Sequence, residues 1–292
     1  MGAGRTTLAP RTGECSLPDT GSLPDAGIAR VTRRVEWKDL LSLSSARTLY
    51  EVTLPVPYLL LSLVLAHLCF TRSWVWLPAA ILASFFVFLT ALRLVHNAFH
   101  YALGLPRWAT EWIMFLNTVL LMGWMHAVQV THLLHHRHCL REDDVESRSA
   151  RMPWWRSLLT GPCFPFWVLR KAWQAARPYQ RRWIALEVGY NAAVLPLLFV
   201  PAVPLIWRYH ILSMAVGECL FPFFGVWSVH HDVHATRTIA RTLRHATKNA
   251  LTFGMFYHLE HHLFPRVPTC KLNILATRID AEIDPEELEY VF

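Results

Sequence analysis

Residues 74–100 read WVWLPAAILASFFVFLTALRLVHNAFH. The part from Trp74 to Val95 carries one formal charge, Arg93, and exceeds the roughly 20 apolar residues that cross a bilayer as a helix. It runs straight into His96-Asn97-Ala98-Phe99-His100, whose two rings, at i and i+4, share one helix face. An imidazole beside hydrocarbon is costly unless it is paired or bound. The stretch therefore ties a membrane span to a polar site at its end.

The rest of the chain fits that setting. Of 292 residues, 53% are hydrophobic and only 17% charged, against roughly 25% charged in an ordinary globular protein. The 13 Trp and 16 Phe suit lipid and its interfaces. This balance excludes disordered, collagenous and coiled-coil classes. The net charge of +7 comes from basic residues flanking apolar runs, which points to the positive-inside rule and away from a nucleic-acid partner. The six cysteines form no CxxC pair and two lie in apolar runs, so they are expected to be reduced thiols.

Four spans are expected, at about 54–71, 74–95, 186–206 and 209–229, in two hairpins that turn at Thr71-Arg72-Ser73 and at Trp207-Arg208. Pro196, Pro201 and Pro204 blur the ends of the third. A fifth apolar stretch, 111–130, contains Asn117, His126 and Gln129. With four spans, 26 of the 28 Lys and Arg fall on one side; a fifth crossing would move the 10 basic residues of 137–182 to the other. The stretch is therefore expected to be re-entrant or interfacial. Residues 1–48 lack an apolar run and are expected to form a disordered cytoplasmic tail with no secretory signal. Residues 49–280 form the membrane domain and 281–292 an acidic tail, with both termini and the histidine motifs cytoplasmic. Trp154, Trp155, Trp167 and Trp173, among Arg156, Arg170 and Lys171, suggest amphipathic helices against headgroups.

The 16 histidines are concentrated near the ends of these spans. After HxxxH come His132-Leu-Leu-His135-His136, then His230-His231-Asp-Val-His234, then His258-Leu-Glu-His261-His262. In HxxHH the rings at i, i+3 and i+4 converge on one face, a geometry that holds metal. Eight or nine nitrogen donors exceed what one tetrahedral zinc uses, so two metals of higher coordination number are implied, and imidazole suits iron. Glu142, Asp143, Asp144, Asp232 and Glu260 lie beside the motifs and could orient the ligands from behind. His67, His126, His210 and His245 stand alone and receive no metal role, His138 is given a supporting or surface role, and Arg93 and Arg137 are expected to anchor lipid phosphate.

In these motifs the chain resembles the integral-membrane fatty acid desaturase and hydroxylase superfamily, with its three boxes HxxxH, HxxHH and HxxHH. The third, Tyr257-His-Leu-Glu-His-His-Leu-Phe-Pro265 with Val267-Pro268, is especially similar, as is Thr236-Arg237-Thr238; the resemblance covers about residues 50–280. It implies an all-α fold, four transmembrane helices under a helical cytosolic cap that holds a di-iron histidine cage. The implied ligands are His96, His100, His132, His135, His136, His258, His261 and His262. A further histidine after the last span would complete the set, His231 first, with His230 and His234 as alternatives. Asp143 and Asp144 resemble acidic residues that follow the second box, and Glu260 is a third candidate behind the ligands. No catalytic residue beyond the cage is implied.

The resemblance implies an oxygen-dependent acyl-chain desaturase or, with the same cage, a hydroxylase or ketolase of an acyl lipid, carotenoid or other apolar substrate. A transporter would place its polar ligands near the bilayer midplane, and a haem carrier needs far fewer histidines. Two iron ions, dioxygen and membrane lipid are thus expected. With no cluster, dinucleotide or haem motif visible, electrons are expected from an external ferredoxin or small haem carrier and its reductase.

Overall fold

The computed structural model describes residues 31–233 and 238–291. The described residues are helical and contain no strand, only an isolated bridge between Thr242 and Tyr290. Three helices are long and apolar enough to cross a membrane: α1 (Ser45–Thr71), α2 (Trp74–Phe99) and, later in the chain, a helix over Leu205–His230. Ser44 starts α1 by accepting the Arg47 N–H at 3.3 Å. Pro55 is accommodated where its missing N–H begins a fresh helical segment. The turn to α2 falls at Arg72-Ser73, where Ser73 Oγ accepts the Val75 N–H at 3.3 Å.

The fifth apolar stretch is two helices, α3 (Arg107–Leu121) and α4 (Met125–His138), bent by 112°. A break inside an apolar body must satisfy its freed backbone groups internally. Met122 takes the left-handed conformation at φ 61°, ending α3. Asn191 then donates to the Met122 and Gly123 carbonyls at 3.1 and 2.9 Å. On the other side Thr118 Oγ1 accepts the Met125 N–H at 3.2 Å, and the Glu187 carboxylate accepts the His126 N–H at 3.1 Å. The His126 ring is fully buried between two acids, Nδ1 2.6 Å from Glu187 and Nε2 2.9 Å from Glu111, and stacks on Trp183.

Beyond α4 come α5 (Trp154–Leu159), α6 (Phe164–Ala175) and α7 (Pro178–Val194). Trp154, Trp155 and Trp173 are exposed, and Arg148 lies 4.0 Å over the Trp167 ring. The expected third span, 186–206, is not a continuous helix. α7 starts earlier, includes Arg181, Arg182 and Glu187, and ends at Val194; a tight turn over Leu195–Phe199 and a loop follow. Pro196, Pro201 and Pro204 each remove an amide donor, which ends the helix. The second turn consequently lies at 200–204, and Trp207 and Arg208, expected at the tip, belong to the first turn of α8 (Leu205–His230). Near its end, over Pro222–Trp227, α8 widens into a π-helical turn.

The last described segments are α9 (Ala246–Leu251), α10 (His258–Leu263) and α11 (Leu272–Asp280). α10 and α11 share a core with both segments expected to be tails. Val31, Val35 and Leu40 pack with Leu259, Leu272, Leu275 and Ile279, so residues 31–48 are ordered and partly buried, unlike the loose tail expected. Ile283, Leu288 and Val291 are buried as well, and the Thr242 N–H donates to the Glu289 carbonyl at 2.9 Å, which docks the acidic segment. Scattered apolar residues suffice here because they meet a complementary surface. Arg93, expected to reach lipid phosphate, is 6% exposed; its guanidinium donates to Glu51 at 2.8 and 2.6 Å and to the Phe253 carbonyl at 2.5 Å.

The substitution Asn191→Leu leaves the Met122 and Gly123 carbonyls without their donor. It should cost about 2 kcal/mol, lowering the thermal midpoint of detergent-purified protein. An unchanged midpoint would show that the break does not depend on this side chain.

Candidate metal centre

Four segments deliver the histidines. The end of α2 and the residue after it carry His96 and His100, α4 carries His132, His135 and His136, the last residue of α8 is His230, and α10 carries His258, His261 and His262. Their ligand atoms form two groups, each within 4.8 Å: His96, His100, His132 and His261, and then His135, His230, His258 and His262. His136 adjoins the first group, its Nε2 2.9 Å from that of His261 and 3.2 Å from that of His132, with its ring 4.5 Å from that of His262. These rings belong to buried residues, apart from those of His96 and His100, which are partly exposed.

The back of each ring shows which nitrogen faces inward. His135 Nδ1 donates to Asp144 at 2.7 Å, His132 Nδ1 to Glu146 at 3.1 Å and His230 Nδ1 to the Ile239 carbonyl at 3.1 Å. Each such bond places the proton on Nδ1 and leaves Nε2 with a bare lone pair. His135 Nε2 nevertheless lies 3.2 Å from His230 Nε2. Two lone pairs repel at that distance, and a cation between them turns repulsion into ligation. Burial and then the neighbouring histidines hold His100, His258, His261 and His262 well below the ordinary imidazole range, so they are neutral donors. Burial alone would raise the Asp144 carboxyl; His135 and Ser147 outweigh it and hold the group below the usual carboxylate range. The donor set therefore fits two soft-to-borderline divalent ions.

Several expected members lie elsewhere. His231 stands outside both groups: its ring stacks on Trp227 at 3.7 Å and its Nδ1 donates to the Trp227 carbonyl at 2.8 Å. The neighbouring His230 occupies the place that the sequence offered first to His231. α8 ends at His230, and His231 continues in an extended conformation at ψ 143°, which carries its ring away from both groups. His234, with Thr236 and Arg237, lies outside the described residues. Asp143 is at the surface with His138 and Lys171 and does not reach the cage. Glu260 faces away from the ligands, accepting from Thr242 Oγ1 at 2.7 Å and pairing with Arg244 at 2.6 Å. Glu142 and Asp232 are exposed. His67 is exposed, His210 donates to the Leu120 carbonyl and His245 caps α9, so the solitary histidines stay out of both groups.

Residues without a motif complete the site. Glu146 follows no spacing rule from the second box, yet it also accepts from Thr131 Oγ1 at 2.8 Å. Asn97, inside the first box, accepts the Thr269 N–H and hydroxyl at 2.9 Å each and so fastens α2 to the segment after the third box. One turn earlier, the Arg93 bond to Phe253 fastens α2 to the segment before the third box.

A cavity of about 690 Å³ opens beside the cage. Its walls come mainly from α2 and α8 and are almost entirely apolar, but at one end it meets His96, His132, His135, His230, His258 and Glu146. It therefore touches both histidine groups at once.

The model of the fatty acid desaturase family matches residues 71–292, a stretch that includes every histidine of both groups. No curated protein and no solved structure matches the chain.

Replacing Asp144 with Ala removes the acceptor behind His135 and should weaken metal retention by about 10- to 100-fold, measured as iron left after a timed chelator challenge. His230→Ala should lose iron outright while His231→Ala keeps it. The reverse order would return the ligand role to His231.

Proposed function

Because this chain belongs to the fatty acid desaturase family, we propose that it is a membrane-embedded oxidoreductase that uses two irons and dioxygen to desaturate an acyl chain. The carrying observation is the long apolar cavity that ends against histidines of both groups. In this reading His96, His100, His132 and His261 hold one iron and His135, His230, His258 and His262 the other, with His136 beside the first. When bound, the pair supplies reductive activation of dioxygen and oxidation of an unactivated C–H bond.

The chain's own residues have three tasks. Asp144, Glu146 and the Ile239 carbonyl keep the Nδ1 protons in place, so each Nε2 stays free to ligate. Phe88, Leu92, Phe99 and Val229 line the approach to the cage, hold the substrate by apolar contact and exclude water. Asn97 and Arg93 bind the third-box segment to α2 and so keep groups from distant parts of the chain in register. Loss of two hydrogens from adjacent carbons, with dioxygen, two electrons and two protons, gives a double bond and two waters. The electrons come from an external ferredoxin or small haem protein, with its reductase, steered by the basic surface. The concentration of basic residues beside the histidine motifs supports a cage and termini on the cytoplasmic side.

Mass spectrometry of lipids and carotenoids from expressing cells tests the reaction. A product lighter by two hydrogens is expected, and it should fall by more than about 100-fold for His261→Ala, in keeping with loss of a ligand, while membrane insertion is retained. A product heavier by one oxygen would replace desaturation by hydroxylation, and a ketone would indicate ketolation. Undiminished product from His261→Ala would contradict the ligand assignment.

A further inference from the structure

The half of the cavity remote from the histidines is walled by Leu77, Ile81, Phe85, Phe88, Leu212 and Val216, but three hydroxyl groups interrupt it: Ser84 of α2 and Tyr209 and Ser213 of α8. Ser84 Oγ lies 2.8 Å from the Tyr209 hydroxyl and 2.8 Å from Ser62 Oγ of α1. Two hydrogen bonds among three hydroxyls use two protons. When Ser62 donates to Ser84 and Ser84 to Tyr209, the Tyr209 O–H is the third and has no acceptor among the described residues, and an unpaired hydroxyl is costly in apolar surroundings. Ser62 and Ser84, both buried, already join α1 to α2. Tyr209 adds a partly exposed polar tip on the cavity side, and Ser213, at i+4, stands on the same helix face.

Resting on the desaturase reading, we propose that the cavity selects a long apolar chain carrying an oxygen, as hydroxyl or carbonyl, on the portion remote from the oxidised carbon, and that Tyr209 with Ser84 binds that oxygen. The helix sets the span. From Ser84 to His96 there are 12 residues of α2, about 18 Å at helical rise. An extended chain of single bonds advances roughly 1.2 Å per bond, so about 15 bonds separate the oxygen from the carbon at the cage. A methyl-ended chain leaves the spare O–H unpaired, and a site built to bond a substrate oxygen discriminates against the analogue that lacks it. The preference expected from one added hydrogen bond is about 5- to 10-fold.

The test uses the full chain, loaded with iron, in lipid nanodiscs. Icosane and icosan-1-ol compete against radiolabelled icosan-1-ol. The alcohol should bind about 5- to 10-fold more tightly, and Tyr209→Phe and Ser84→Ala should each erase the preference while keeping affinity for icosane. Equal binding of the two chains to the unaltered protein would overturn the proposal and leave the desaturase reading standing; this comparison needs no variant to fold. A preference that survives both substitutions, with only a lowered thermal midpoint, would reduce the hydroxyl trio to contacts between helices. Binding of neither chain would overturn both this proposal and the acyl-chain reading.

Discussion

Unprotonated imidazole nitrogens do not crowd together in a buried site without a cation, and most of this structure is arranged around that constraint. Asp144, Glu146 and the Ile239 carbonyl fix protons on the outer nitrogens of His135, His132 and His230. The inner nitrogens then converge, 3.2 Å apart for His135 and His230. Four separate stretches of chain must arrive at one place for this to happen. Arg93 and Asn97 supply the fastening, from positions next to the first-box histidines to the loops on either side of the third box.

The same accounting of polar groups shapes the apolar part. The break between α3 and α4 lies in an otherwise apolar region, and Asn191, Glu187 and Thr118 satisfy the groups it exposes. Glu51 and Arg93 are buried together, and His126 is held between Glu111 and Glu187. A charge or amide in such a place persists because its partner is built in. The cavity is the deliberate contrast: almost all carbon along its length, with polar groups gathered at the cage and at the Ser84 and Tyr209 hydroxyls.

The all-helical fold, the spans α1 and α2, the departure of residues 111–130 from a simple crossing and the three boxes were legible because apolar length and i, i+3, i+4 spacing are local signals. The choice between His230 and His231 was not, since it turns on where α8 ends, which no hydropathy pattern marks. Glu146 was missed because the loop that returns it to His132 has no fixed spacing. Asp143 and Asp144 are chemically identical neighbours, and only the turn between them sends one inward. The third span departs from 186–206 because apolar content runs on through prolines that end the helix. Residues 31–48 look like a tail in sequence because a core shared with distant residues leaves no local periodicity.

X-ray absorption at the iron edge of the reconstituted protein, with the iron content of the same sample, reads both metal sites. Two irons per chain are expected, each in a shell of nitrogen and oxygen at imidazole distances, with no sulfur. One iron per chain, or a thiolate in its shell, would contradict this.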